Sequence, residues 1–178
     1  LGRAIDLEQG EALRAPLVPG KIVCVGRNYR EHAAELGNAL PTEPLIFLKA
    51  PTSVIGPATA VVLPPESSRV DFEGEIALVV KHRMRRVTAA EALAGILGVT
   101  CANDVSARDL QKRDGSFSGA KSFDTFCPLG PAILLDPDFA GLEVRTRVNG
   151  VERQHGRVGE MVFGFAELLA YASCRMTL

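Results

Sequence analysis

The chain has no tryptophan, two tyrosines and four cysteines among its 178 residues. Each shortage narrows the field. Cys24, Cys101, Cys127 and Cys174 stand far apart, with no C-x-x-C and no neighbouring histidine pattern, which argues against a zinc site and against a dithiol redox motif. Cys24 and Cys101 fall in apolar runs and read as small core residues. No apolar stretch reaches the roughly 18 residues that a bilayer-spanning helix needs, so no membrane partner is expected. Arg3, Asp6, Glu8, Glu11 and Arg14 break up residues 1–20, unlike a secretory leader, and a reducing, cytoplasmic setting is the default expectation. The formal net charge is only -1. Lys81, His82, Arg83, Arg85 and Arg86 form the densest basic stretch, but Met84 interrupts it, and a charged turn explains it better than a nucleic-acid surface. No glycine-rich phosphate loop follows a strand, and there is no internal repeat.

What is present describes an ordinary globular chain. Apolar residues make up 47% and charged residues 23%, so global disorder is excluded and one domain is expected. Pro16 and Pro19-Gly20 mark a joint between an N-terminal preface, residues 1–20, and one continuous domain over 21–178. Short β-rich runs predict strands over 22–25, 45–48, 60–63, 76–80, 99–102, 132–135 and 144–148. Asn149-Gly150 after the last of these is a strong hairpin signal. Asn28 is placed to cap a helix reaching about residue 36, and Thr88-Ala89-Ala90-Glu91 has the capping-box form for a helix to about 97. A further helix is expected over 163–172. Strands outnumber helices and the turns are short, so the fold class is mixed, mainly β (α+β), with a few peripheral helices.

Four local features carry chemistry. Asp71-Phe72-Glu73-Gly74-Glu75 leads into an apolar strand, and residues two apart share a strand face, so Glu73 and Glu75 present paired carboxylates, joined by Asp71 if the strand extends back. Like charges so placed call for a cation, and Mg²⁺ accepts such oxygens, although an exposed acidic strand start has the same pattern. In Asn103-Asp104-Val105-Ser106-Ala107-Arg108-Asp109-Leu110-Gln111, Asp104 reads either as a third ligand or as a helix cap. His32 and Glu35 share a helix face, as a base with its orienting carboxylate would, or as a surface pair. Lys121, among small and aromatic residues, fits a fixed positive charge for an oxyanion, or an ordinary surface lysine.

Taken in order, Cys24-Val25-Gly26-Arg27-Asn28-Tyr29, Glu43-Pro44-Leu45-Ile46-Phe47-Leu48-Lys49, Asp71-Phe72-Glu73-Gly74-Glu75, Asn103-Asp104-Val105-Ser106-Ala107-Arg108-Asp109 and Lys121-Ser122-Phe123-Asp124 resemble the fumarylacetoacetate hydrolase family over about 21–178. The resemblance implies a β-sandwich roll, a homodimer, and one Mg²⁺, with Mn²⁺ or Ca²⁺ as substitutes. It puts the metal carboxylates on Glu73, Glu75 and Asp104, the catalytic lysine on Lys121 and a His–Glu lid pair on His32 and Glu35. Arg27, Lys49, Arg108 and Gln111 follow as substrate contacts. The implied substrate is a small 2-oxo or 2,4-dioxo acid, cleaved at a C–C bond by water attack on the acyl carbonyl. Isomerisation or decarboxylation of 2-hydroxy-dienedioates in aromatic catabolism is the alternative, and a non-catalytic dimerisation module a third. Family members usually continue past the point where this chain ends, through a Gly-Thr-Pro turn and further strands, so a C-terminal end is expected to be lacking. The segments over 37–41 and 113–119 are expected to be mobile.

Overall fold

The computed structural model describes residues 13–26, 28–29 and 41–178. Among these, ten strands and four short α-helices form four small sheets. The principal sheet has the order β3-β8-β6-β5, built from β3 (Val54–Ile55), β8 (Cys127–Leu135), β6 (Ile96–Asn103) and β5 (Gly74–Val80). Strand β8 runs parallel to β3 and antiparallel to β6, and β6 runs antiparallel to β5. Three ribbons flank it: β1 (Ile22–Gly26) with β2 (Leu45–Lys49), β4 (Val70–Asp71) with β7 (Ser106–Ala107), and β9 (Glu143–Val148) with β10 (Val151–Arg157). Mainly β with peripheral helices is the expected fold class.

Local sequence accounts for most elements. Asn149 and Gly150 both take positive φ, 52° and 79°, which is the two-residue turn that matches the twist of the β9–β10 hairpin. The Glu91 carboxylate accepts from the Thr88 N–H at 2.8 Å and opens α1 (Ala89–Ala92). That helix is shorter than expected: a 3-10 turn, Leu93–Gly95, replaces its second half, and β6 begins at Ile96. Here Gly95 packs against Met84, and Lys81 N–H donates to the Gly95 carbonyl at 2.8 Å, so the chain turns into the sheet. Helices α2 (Arg108–Asp114) and α3 (Phe117–Lys121) follow β7, and α4 (Phe165–Arg175) matches the last expected helix.

Other expectations change. Residues 60–63 form no ladder; their apolar side chains divide between the core, where Val61 packs beside Phe126, and solvent, where Val62 and Leu63 lie. The Asn28 side chain joins β1 to the segment before α4: its Oδ1 accepts from Phe163 N–H at 2.9 Å and its amide donates to the Phe163 carbonyl at 3.0 Å. Cys101 is exposed, because its neighbours Thr100 and Ala102 take the inward side of β6. Within residues 113–119, α2 closes at Gly115 with φ 62° and α3 starts. The segment 37–41 and the helix expected after Asn28 lie largely outside the described residues. Among the described residues no helix is long and apolar enough to cross a membrane.

Two apolar clusters stabilise this arrangement. Val105, Ala107, Leu110, Ala120 and Phe126 pack β7, α2 and α3 together, while Met84, Ala92 and Leu169 join α1 to α4. Gly98 lets β6 approach β8, because a methyl there would run into the Leu134 carbonyl and the Ile133 side chain. Gly98→Ala should therefore destabilise the fold by about 1–3 kcal/mol, seen as a lower urea midpoint with an unchanged slope.

Candidate functional site

The site is assembled at the end of the β5–β6 ladder. Gly74 pairs with Asn103 and Glu75 with Ala102, which leaves Glu73 and Asp104 side by side just beyond the last pair. Two bonds fix that approach: Asp104 N–H donates to the Glu73 carbonyl at 2.8 Å, and Glu73 N–H donates to Asn103 Oδ1 at 2.9 Å. The neighbouring β4–β7 pair then sets Asp71 opposite Ser106. Residues 30 and more positions apart are joined in this way by backbone pairing and one side-chain amide.

Two buried lysines meet these acids. Lys49, at the end of β2, donates from Nζ to Asp104 Oδ1 at 2.7 Å and to the Val105 carbonyl at 3.3 Å. Lys121, the last residue of α3, donates to Asp104 Oδ2 at 2.7 Å and also to Glu73 Oε2. Both lysines are more than nine-tenths buried. Ser106, fully buried, donates to Glu73 Oε2 at 3.1 Å. Arg108 closes the other flank, binding Glu73 through Nη2, Asp71 Oδ2 through Nε at 3.1 Å, and Gln111 Oε1 through Nη1 at 3.0 Å. Asp109 in turn accepts from Ser67 and from the Ser68 N–H and hydroxyl, tying the loop before β4 to α2.

The electrostatics of the three acids differ. Burial opposes ionisation of Glu73, but Lys121 and Arg108 beside it hold its carboxyl below the usual range. Glu75 goes the other way. Burial, then the charges of Glu73 and Asp104, push its carboxyl up to about 8, only partly offset by Lys121. Burial, with the Asp104 charge adding to it, also keeps the Cys24 thiol protonated.

Both expected readings of Lys121 and Asp104 are thereby resolved on the buried side: neither is a surface group, and Asp104 caps no helix. Ala107 occupies the N-cap of α2. Asp71 is not aligned with Glu73 and Glu75, since the strand breaks at Phe72 and Glu73, and its carboxylate serves Arg69 and Arg108 instead. Among the described residues no three of His, Cys, Asp and Glu converge closely enough to hold a metal ion. The Lys121 ammonium lies between Glu73 and Asp104, where the expected cation would compete for the same oxygens. His32, Glu35 and Arg27 lie outside the described residues. Sequence reasoning missed Ser106, Asn103 and Phe47; strand alternation from Lys49 points to Phe47, whereas nothing local marks Ser106 or Asn103.

The cluster opens into a cavity of about 960 Å³. Glu73, Glu75, Asp104, Lys49, Lys121 and Arg108 line one part of it, and β1, β5 and α4 supply a largely apolar remainder. The Thr100 hydroxyl, in the same wall, is buried with no hydrogen-bond partner among the described residues. Such a group costs about 1–3 kcal/mol unless a ligand or water satisfies it.

Comparison with known proteins bears on the family and the fold. The family model described as fumarylacetoacetate (FAA) hydrolase C-terminal matches residues 21–178. Protein Rv2993c of Mycobacterium tuberculosis is 48% identical over 169 residues, covering 93% of this chain and 64% of that protein. The rat protein named oxaloacetate tautomerase Fahd2a, mitochondrial, is 42% identical over 164 residues, covering 90% of this chain and 52% of its own length. A crystal structure of 2-hydroxyhepta-2,4-diene-1,7-dioate isomerase from Mycobacterium marinum superposes with a TM-score of 0.85 at 45% identity, covering 93% of this chain and 62% of that one. The chain thus spans about half to two thirds of the length of these proteins.

Glu75 has a consequence for stability. Its carboxyl is raised from the ordinary 4.5 to about 8 on folding, so its contribution is complete below pH 4.5 and is lost as pH rises to 8. Without divalent cations, the wild-type unfolding free energy should fall between pH 5 and 8. In Glu75→Gln that slope should largely disappear, as urea unfolding at the two pH values would reveal.

Proposed function

We propose, for a chain that belongs to the fumarylacetoacetate hydrolase family, that the site acts on a 2-oxo acid through its enolate with the help of a divalent cation. The observation that carries this reading is the buried meeting of Lys49 and Lys121 with Glu73 and Asp104 at the edge of the cavity, with Glu75 adjoining. The family is one of enzymes, including isomerases, hydrolases and tautomerases.

Glu73, Glu75 and Asp104 are the residues that would hold the cation. As they stand the three do not converge closely enough to hold it, with Lys121 between two of them, but the donor set, all hard carboxylate oxygen, is of the kind Mg²⁺ takes. Mn²⁺ and Ca²⁺ suit the same donors. When bound, the ion supplies positive charge that polarises a 2-oxo group.

The chain's own residues do the rest. Lys121 is placed to neutralise charge that develops on the substrate oxygen as a proton leaves the adjacent carbon. Lys49 holds Asp104 from the opposite side, so that the carboxylate keeps its orientation when Lys121 turns to the substrate. Arg108, with Gln111 accepting from it, steadies Glu73 and presents guanidinium charge to a substrate carboxylate. The apolar walls exclude water and strengthen each of these interactions.

Keto–enol interconversion of a small 2-oxo acid such as oxaloacetate is the outcome this reading favours, in keeping with the tautomerase and isomerase named among the similar proteins. Hydrolysis of a C–C bond in a 2,4-dioxo acid is the second reading, favoured by the spacing of His32 and Glu35, which suits a base that activates water. Homodimeric assembly and a cytoplasmic setting belong to the same proposal.

Calorimetry tests it directly. Mg²⁺ should bind, oxalate should tighten that binding, and Glu73→Ala should remove it; a folded protein that binds neither would overturn the reading. With oxaloacetate, Lys121→Ala should lower the tautomerisation kcat by about 10²–10³-fold, with circular dichroism confirming the fold. His32→Ala separates the two outcomes, since hydrolysis should collapse while tautomerisation survives.

A further inference from the structure

We propose that Phe47 is a positioning residue whose aromatic face fixes the Lys121 ammonium at the carboxylates. The inference rests on the reading of Lys121 given above and adds to it a group that carries no charge.

The arrangement follows from two periodicities. On β2, Phe47 and Lys49 are two apart, and both are buried while Leu48 between them is exposed. One strand face thus delivers a lysine to Asp104 and an aromatic ring beside it. On α3, Phe117 and Lys121 are four apart and share one face. Phe47 meets both ends of that turn. Its ring stacks on Phe117, with centroids 5.2 Å apart and planes at 21°, and Lys121 Nζ lies 5.1 Å from its centroid.

A five-residue helix just after the left-handed Gly115 has little of its own to hold it. The Phe47–Phe117 stack pins its start, and the Phe47 face receives its end. The face also differs in kind from the other partners of Lys121. Glu73 and Asp104 are the groups a divalent cation would claim, and once it does so they cannot hold the ammonium as before. An aromatic quadrupole does not ligate a hard cation, yet it attracts an ammonium, most strongly where water is excluded. Phe47 therefore keeps Lys121 in place in both conditions of the carboxylates.

Fluorination of the ring gives a test that packing alone does not answer. Phe47 would be replaced by 4-fluoro-, 3,5-difluoro- and 3,4,5-trifluorophenylalanine, which drain density from the ring face with little change of shape. Oxalate affinity of the Mg²⁺-loaded protein, which needs no turnover, is read first, and kcat with oxaloacetate second. Both should fall stepwise along the series, reaching about threefold to tenfold at the trifluoro ring, with KM changing less than kcat. Phe47→Leu should fall at least as far. Flat values along the series, with loss only in Phe47→Leu, would show that the ring acts by packing and would overturn the inference alone. Oxalate binding and kcat unmoved by Lys121→Ala, or no oxalate binding at all, would overturn the reading of the site and this inference with it.

Discussion

The placement of two lysines in the interior is the constraint on which the rest depends. An unpaired ammonium or carboxylate taken out of water costs several kcal/mol, and pairing offsets this only when geometry is good and the remaining lone pairs are met. Lys49 and Lys121 satisfy the condition by converging on opposite oxygens of one carboxylate, Asp104, while Lys121 and Arg108 converge on opposite oxygens of Glu73. No member can be moved without stranding another. The backbone around them has to arrive at one geometry, and the short strands make sense as the means of fixing it.

The scaffold does so by ending ladders beside one another. β5–β6 stops at Gly74 and Asn103, β4–β7 stops at Asp71 and Ser106, and β1–β2 reaches its limit at Ile22 and Lys49. Side chains released at strand ends can aim at a common point, whereas mid-strand residues are committed to one face or the other. Glu73 and Asp104 use this freedom. Glu75, one residue pair inside the ladder, does not, and burial at that fixed place, with two other acids beside it, raises its carboxyl.

Much of this was legible in the sequence, for reasons that differ by residue. Strands at 22–25, 45–48 and 76–80 are short apolar runs with clear punctuation, and the Asn149-Gly150 turn states its own backbone angles. Glu73, Asp104 and Lys121 were nameable because a family pattern collects them in order. Their individual contexts left each one ambiguous. What the pattern could not convey was register. Whether Asp71 continues the Glu73–Glu75 face depends on where β4 gives way to β5, and a break at Phe72 and Glu73 is set by the pairing of β4 with β7, more than 30 residues on. Residues 60–63 failed for a similar reason: they have strand composition, but no neighbouring edge takes them up. Phe47 and Ser106 were passed over because neither carries a charge, although both hold a charged group in place.

Charge balance ties the site's fold to its chemistry. Four acids, Asp71, Glu73, Glu75 and Asp104, face four bases, Lys49, Arg69, Arg108 and Lys121. Below about pH 8 the proton on Glu75 leaves the cluster one unit positive. A divalent cation entering among the carboxylates would take the place of that proton and leave the cluster two units positive. The surplus is what a dianionic 2-oxo acid such as oxaloacetate would neutralise on arrival, and an enolate, carrying one further negative charge, would draw on the lysines and arginine already in place. Substrate binding and enolate formation would then each be favoured by a charge that folding itself left unbalanced.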